Sequence, residues 1–496
     1  MKVKFLDLNA NYLSIKDEVD TNIQSVLSKC NYILGEEVTV FENNFAKYIG
    51  TKHSIGVANG TDALEIAVKS LELEENAEII VQGNTYIASC LAVVNNNHKL
   101  IIADCDINTH MIDIDDLKAK ITPQTKALIL VHLFGLVPNM DKILEICNEH
   151  NITLIEDCAQ AHGALWKNQK VGTFGKISCF SFYPGKNLGA YGDGGGICTN
   201  DDILNERIRR LANLGCKIKY HHDLIGRNSR LDTIQAAVLN TKLKYLDSNN
   251  AKRRIVAEKY HKLLIDISTI SLPIFESEST PVFHLFVIKT NFRDELKAFL
   301  LENGIECGIH YPISITETDA FSELNLDRVK NCIENSKLIL SLPMYPELND
   351  EQLQYISEKI HLFYKRKEVA KFQSIITENK EGVLHCINDY DFHTKRMFYI
   401  NDFDLSKGPV KRGFHSNTNF NEFFIVLKGE VQLKLINKFN NTIIKQLKSN
   451  DAFYIPKNNW IEFEVLDKST SIFVLCDKEF ETSQCITDYN IFLNDI

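Results

Sequence analysis

The sequence predicts two architectures in one chain: an α/β layer on a mainly parallel sheet, then an all-β domain. Three observations predict this. Short apolar runs alternate with amphipathic helical segments between Ser54 and Asp157. Beyond Lys371 the helical periodicity stops. Short runs such as Phe423–Leu427, Val431–Ile436, Phe453–Ile455 and Ile472–Cys476 alternate there with turns such as Lys428–Gly429–Glu430. Finally, 496 residues at 44% hydrophobic content suffice for several packed cores. The boundary is placed near Lys365–Phe372, dividing 1–370 from 371–496. Within the first part, a large subdomain runs over about 1–248 and a small one over 249–370.

In chain order, Val19–Ile49 predicts helix with a turn at Leu34–Gly35, because Phe41, Phe45 and Tyr48 recur at helical spacing. Ser54–Ala58 is a strand. The turn Asn59–Gly60–Thr61–Asp62 follows, then a helix with Leu64, Ala67, Val68 and Leu71 on one face. Glu78–Val81, Lys99–Ala103 and Ala127–Leu133 are strand-like, Asp141–His150 is helical, and Thr153–Ile155 starts a strand ending at Glu156–Asp157. Ile203–Leu214 and Thr233–Leu246 predict helices, with Asn249–Arg254 continuing the second. Pro281–Ile288 is a strand candidate, Phe292–Asn303 a helix stopped by Gly304, and Asp350–Tyr364 the last helix of this part.

Bulk properties narrow the function. A net charge of -10 without a basic block argues against general nucleic-acid binding. The longest apolar run, Ala127–Pro138, contains His132 and is too short to span a bilayer. The start lacks a signal-peptide core, and 13 cysteines without a C-x-x-C pair suit reduced thiols in the cytoplasm.

The chemistry centres on Ser178–Gly196, SCFSFYPGKNLGAYGDGGG, where Lys186 stands in a charge-poor run before a glycine-rich turn. A lysine that loses hydration has a lowered pKa, and the neutral amine attacks an aldehyde to form a Schiff base. On this stretch alone, an ordinary loop lysine fits equally well. The turn at Gly60, Thr61 and Asp62 offers a helix N-terminus to an anion, or simple caps. Asp157 stands at a strand end, where it pairs with a pyridinium nitrogen or caps a loop. Tyr86 stacks on a flat ring or packs in a core; Ser181 offers a hydroxyl to a phosphate; Asn228 and Arg230 are polar groups ahead of a helix. An anion turn, an aromatic, a strand-end Asp and a desolvated lysine, in that order, are the parts of a pyridoxal phosphate site.

Residues 1–365 resemble the DegT/StrS sugar aminotransferases, which have the aspartate aminotransferase fold. The resemblance rests on LGEEVTVFENNFAKYIGTKHSIGVANGTDAL, NTYIAS, VHLFG, IEDCAQAHGA, FSFYPGKNLGAYGDGG and GRNSRLDTIQAAVL. It implies pyridoxal 5'-phosphate on Lys186, Asp157 at the ring nitrogen and Gln160 near the ring hydroxyl. It further implies Gly60, Thr61 and Ser181 at the phosphate, Tyr86 on the ring, and Asn228 reaching the neighbouring subunit's phosphate in a homodimer. The glycine run after Lys186 is not a dinucleotide fingerprint, since it does not open a βαβ unit. Some family members carry histidine at the lysine position and are dehydratases, so Lys186 implies transamination, with glutamate as donor. KYHHDLIGRNSR resembles the subset that aminates C3 of dTDP-3-keto-6-deoxyhexoses, with Tyr220 and His221 at the sugar. GIHYPIS adds His310 and Tyr311 as substrate-binding candidates. A structural aromatic or core histidine remains open for all four.

Residues 372–496 resemble a jelly-roll cupin of the dTDP-sugar 3,4-ketoisomerase type, through KRMFYINDF, KRGFHSN, EFFIVLKGEVQLKL, AFYIPKNNWIEF and ITDYNIF. Such an isomerase makes the 3-keto sugar that a C3 aminotransferase consumes. The family's R-G-x-H-x-H segment here runs Arg412, Gly413, Phe414, His415, Ser416, Asn417, so the second histidine is an amide. Ile461 replaces a further histidine after Trp460. A degenerate, sugar-nucleotide-binding cupin is therefore expected, with Tyr399, Arg412 and His415 as its site candidates and no metal. The leading expectation is a cytoplasmic 3-aminotransferase for cell-surface polysaccharide, such as lipopolysaccharide O-antigen, without nucleic-acid or membrane partners. Its alternatives are a bifunctional isomerase–aminotransferase acting on dTDP-4-keto-6-deoxyglucose and a non-catalytic binding protein of the same fold.

Overall fold

The computed structural model describes residues 1–368, 370–371, 373–375, 384–386, 394–406, 408–437, 442–479 and 485–494. The expected boundary near Lys365–Phe372 lies partly outside them, at Val369 and Phe372. The chain forms two compact units. One comprises 1–263, 272–289 and 300–355; the other comprises 264–271, 290–299 and 356–496.

The first unit opens with helices α1 (Leu8–Ser14), α2 (Lys16–Lys29) and α3 (Glu36–Ile49). Cys30 and Leu34, at φ 51° and 52°, make the predicted break, and Gly50 at φ 98° closes α3. Val38, Phe41, Phe45 and Ile49 form the buried stripe of α3. A seven-stranded sheet follows: β1 (His53–Val57), β2 (Glu78–Gln82), β3 (Lys99–Ala103), β4 (Thr125–Val131), β5 (Thr153–Asp157), β6 (Ile177–Ser181) and β7 (Gly195–Thr199). Interleaved are α4 (Gly60–Ser70), α5 (Ile87–Val94), α6 (Ile114–Lys120) and α7 (Met140–Glu149). The spatial order is β1-β7-β6-β5-β4-β2-β3. β3, β2, β4, β5 and β6 pair in parallel, while β7 is antiparallel to both its neighbours. One apolar core contains Phe45, Leu128, Phe180 and Phe182; another contains Ile66, Val81, Ile129 and Ile197. With both faces covered, the middle strands are continuously apolar instead of alternating.

β7 departs from expectation, since the sequence reads its glycines as turn. A Cβ on Gly195 would lie 2.3 Å from the Asn59 carbonyl oxygen, and one on Gly196 3.1 Å from the Phe182 ring. Close packing, not turning, requires glycine there. α8 (Asp202–Ala212) leads into a small hairpin, β8 (Cys216–Ile218) and β9 (His221–His222). The predicted helix from Thr233 to Leu246 splits into α9 (Thr233–Leu243) and α10 (Leu246–Leu264), so Asn249–Arg254 belongs to a separate helix. The strand expected at Pro281–Ile288 is displaced to β10 (Phe286–Thr290), paired antiparallel with β11 (Ile339–Leu342). The preceding segment is drawn instead onto the turn after β4. The Val282 N–H donates to the Gly135 carbonyl at 3.0 Å, and the Leu285 N–H to that of Phe134 at 3.2 Å.

The second unit contains the expected all-β domain, with strands β12 (Arg396–Ile400), β13 (Val410–Asn417), β14 (Glu422–Lys428), β15 (Glu430–Asn437), β16 (Thr442–Lys448), β17 (Asp451–Ile455), β18 (Asn459–Val465), β19 (Ser471–Cys476) and β20 (Cys485–Ile486). They form two antiparallel sheets. One has the order Ala370–Lys371, β17, β14, β19, β12; the other has β16, β15, β18, β13, β20. Phe424, Val426, Leu433, Phe453, Ile461 and Val474 fill the space between them. Gly429, at φ 87°, makes the predicted turn between β14 and β15. Among the described residues, no helix is long and apolar enough to cross a membrane.

Candidate active site

Lys186 sits in the turn after β6. Its N–H donates to the Tyr183 carbonyl at 2.8 Å, and the Ala190 N–H returns to the Phe182 carbonyl at 2.8 Å. Gly189 lets the turn close, since a Cβ there would lie 2.4 Å from the Pro184 oxygen. The side chain is half-buried and enclosed by protein. Loss of hydration pushes its pKa down to about 8, against the opposing pull of Asp157.

Asp157 ends β5 and is buried. Burial raises its pKa; hydrogen bonds from Ser89 Oγ to Oδ2 at 2.8 Å and from the Ala159 N–H to Oδ1 at 3.1 Å act the other way, as do Lys186 and His132. Among the described residues it forms no ion pair. Gln160, three residues on, accepts the Phe134 N–H at 2.6 Å and donates from Nε2 to the Tyr311 hydroxyl at 3.0 Å. Phe134 holds φ 61° to make that contact. Tyr311 in turn lies 5.7 Å, ring to ring, from Tyr86, which is exposed at the N-terminus of α5. His310 donates or accepts at Ser341 Oγ (2.9 Å) and stacks on Phe5. Burial and the nearby Lys186 lower its pKa to about 4.

The N-terminus of α4 meets β6 at Gly60. A Cβ on Gly60 would lie 2.7 Å from the Ser181 Cβ, so glycine is needed to bring the Ser181 hydroxyl beside the first turn. Asn59 caps the helix by accepting the Asp62 N–H at 2.8 Å. The N–H groups of Gly60 and Thr61 belong to the first turn, where no intrahelical acceptor exists. Asp62 is different. Its N–H is used by Asn59, and its carboxylate accepts from Arg227 Nη1 at 2.9 Å. That side chain is committed to the protein and carries the wrong charge for an anion.

Lys186, Asp157, Gln160, Tyr311, His310 and Tyr86 are thus linked by contacts or electrostatics, and Gly60, Thr61 and Ser181 form a second group on the same sheet end. Tyr220 and His221 are not brought there within this chain. They are exposed on the β8–β9 hairpin, Tyr220 at φ 71°. Asn228 is also exposed. Sequence reasoning missed Ser89, inside the NTYIAS motif, and the layer behind Lys186. There Asn187 donates to Asn250 Oδ1 at 2.9 Å and to the Val282 carbonyl, and contacts His284 Nδ1 at 3.2 Å. Polar residues adjoining Lys186 in sequence were the available signal for Asn187; nothing local announces His284.

In the second unit, His415 is half-buried and burial lowers its pKa. Arg412 is exposed, its guanidinium 6.0 Å from the Phe403 ring. Tyr399 is 52% exposed, because Phe398 and Ile400 take the core-facing positions of β12. Tyr399 therefore lies on the outer face of its sheet.

Residues 365–496 match the family described as WxcM-like, C-terminal. A dTDP-3-amino-3,4,6-trideoxy-alpha-D-glucose transaminase of Streptomyces venezuelae is 38% identical over 74% of this chain and 98% of its own length. A dTDP-3-amino-3,6-dideoxy-alpha-D-galactopyranose transaminase of Aneurinibacillus thermoaerophilus is 41% identical over 73% of this chain and 99% of its own. The solved structure of S. venezuelae DesV in complex with a ketimine intermediate superposes with a TM-score of 0.72, at 38% identity, over 74% of this chain and 99% of that one. Residues 13–361 match the DegT/DnrJ/EryC1/StrS aminotransferase family, and the chain belongs to it.

Proposed function

We propose that this pyridoxal phosphate-dependent aminotransferase moves an amino group from glutamate to C3 of a dTDP-3-keto-6-deoxyhexose, giving a dTDP-3-amino-3,6-dideoxyhexose. One observation carries the reading: a desolvated amine, Lys186, interacts electrostatically with a buried carboxylate, Asp157, that has no ion pair among the described residues, beside a helix N-terminus. The residues fit the cofactor. A buried carboxylate without an ion pair calls for a cation, which a protonated pyridine nitrogen is. Gly60, Thr61 and Ser181 offer two N–H groups and a hydroxyl to a phosphate, with Gly60 leaving the space. Bound there, the cofactor supplies an aldehyde and an electron-withdrawing ring.

The chain's own groups do the rest. Lys186, with its pKa near 8, is partly neutral close to pH 7 and exchanges protons at Nζ. Asp157 keeps a proton on the ring nitrogen, held in place by Ser89 and Ala159. Tyr86 and Tyr311 wall the site with aromatic surface, Gln160 fixes Tyr311, and His310 stays neutral. The exposed Tyr220, His221 and Asn228 suit a homodimer with shared sites, in which Asn228 of the partner subunit reaches the phosphate. The choice of C3 is supported by the 3-amino sugars after which both transaminase relatives are named. The product suits cytoplasmic synthesis of cell-surface glycans.

In the C-terminal domain, sugar-nucleotide binding is the role that survives the amide at Asn417. A second reading, isomerisation of the 4-keto to the 3-keto sugar by this domain, is favoured by Glu422, a buried carboxyl beside Asn417.

The test is product mass spectrometry with the dTDP-linked 3-keto and 4-keto sugars in parallel, with glutamate and pyridoxal phosphate. A 3-amino sugar from the 3-keto substrate is expected. Lys186→Ala should lose the cofactor's visible absorbance band and at least about 1,000-fold in rate. Wild-type protein without that band would sink the reading.

A further inference from the structure

The end of the C-terminal domain where β13 passes into β14 gathers polar groups from both sheets. Arg396 on β12, Cys476 on β19, Glu422 on β14 and Ile455 on β17 are successive cross-strand partners. Directly opposed residues of antiparallel strands share a face, so these four make one row. Glu422, Cys476 and Ile455 are 5%, 0% and 1% exposed, which turns the row towards the core. The facing sheet supplies Asn417 at the end of β13, paired with Cys485 on β20. Asn417 is also buried, and among the described residues its Nδ2 has no partner at hydrogen-bond geometry. His415 lies two residues earlier, past the bulge of β13, and so shares the face of Asn417 at a strand distance of about 7 Å.

Glu422 is an odd residue to bury here. Cys476 Sγ donates to it at 3.9 Å, the Asn417 amide lies beside it, and among the described residues it forms no ion pair. Arg396, Asn417 and Cys476 favour its charged form, but burial outweighs them and pushes the carboxyl up to about 7. An acid that gives and takes a proton near neutrality thus sits against the amide that replaces the expected second histidine. Asn417 Nδ2 meets no partner at hydrogen-bond geometry among the described residues, yet lies close enough for its amide to favour the Glu422 carboxylate.

We propose that Glu422 and His415 form a proton-transfer pair that isomerises a nucleotide-linked 4-keto sugar to its 3-keto form, with Glu422 taking the part that Asn417 cannot. The proposal rests on the isomerase reading of this domain. Neutral His415 removes the proton from C3, and the released electron pair forms the C3–C4 double bond. Glu422, protonated, gives its proton to the C4 carbonyl oxygen. The carboxylate then takes the proton of the C3 hydroxyl, forming the C3 ketone, while the imidazolium returns its proton to C4. Protons and electrons balance, and no oxidant or reductant is needed.

The experiment uses full-length protein with pyridoxal phosphate and no amino donor, incubated with dTDP-4-keto-6-deoxyglucose in D2O and followed by NMR. Wild type should form the 3-keto sugar and place deuterium on the C3–C4 pair. Glu422→Gln should lose at least about 100-fold of both rates with an unchanged melting temperature, and Glu422→Asp should recover part of them. If Glu422→Gln isomerises as fast as wild type, Glu422 is not the group, although the isomerase reading stands. If wild type binds the sugar nucleotide but neither exchanges nor isomerises it, the isomerase reading falls and takes the proposal with it.

Discussion

Burial and charge give Lys186 its reactivity, and the same terms predict a stability signature. Its pKa is near 8 in the folded protein, against 10.5 for an ordinary lysine. Between those values the unfolded chain holds a proton that the folded chain has released. Stability therefore rises with pH through this window, and below pH 8 the folded state bears the cost of a buried charge. Lys242, also near 8, contributes in the same direction, so the comparison must be between variants. Urea unfolding of cofactor-free protein at pH 7.5 and 9.5 should show a smaller pH gain for Lys186→Met than for wild type. Equal gains would mean that Lys186 is solvated. Lys186 and Asp157 were legible as residues because each stands at a recognisable boundary, a strand end or a turn. Ser89, which bonds Asp157, and His284, which meets Asn187 next to Lys186, were not, since only folding brings α5 and the segment before β10 there.

The anion turn is a property of an element, the first turn of α4 as clamped by β6 and β7. Gly60→Ala would place a methyl group 2.7 Å from the Ser181 Cβ. We expect a loss of about 1–3 kcal/mol in stability from overpacking. Cofactor affinity should fall at least about tenfold, measured by melting and by spectrophotometric titration with pyridoxal phosphate. Asp62→Asn should leave that affinity within about twofold, because the Asp62 N–H and carboxylate are already used inside the protein. The reverse order of effects would show that the phosphate is held elsewhere. The glycines of β7 teach the same lesson. In sequence they look like turn formers, but their small size serves close packing on Asn59 and Phe182.

At the scale of the whole molecule, the exposed positions of Tyr220, His221 and Asn228 predict that one chain does not complete a site. Mixing Lys186→Ala with Asn228→Ala subunits tests this. Each parent should be nearly inactive. In the hybrid dimer, one site combines an intact Lys186 with an intact Asn228 of the partner subunit. After full subunit exchange, about a quarter of wild-type activity should return. No recovery after exchange is verified would mean that each site uses its own Asn228.

The sequence by itself determined the order of elements, the α/β-then-β division and the set of chemical groups, because periodicity, turn residues and motif spacing are local properties of the chain. The strand at Ser471–Cys476 and the helix at Asp350–Glu368 stand nearly where the pattern put them. Tertiary structure alone decided which groups meet and what charge they hold. It turned Asp62 towards Arg227, put Tyr399 on an outer face and left Tyr220 exposed. It also drew Glu422, at a strand start, into a core where burial pushes its carboxyl up to about 7. The physical reason is the same in each case. Desolvation and pairing depend on what the other strands and helices bring within a few ångströms, and no local pattern encodes that.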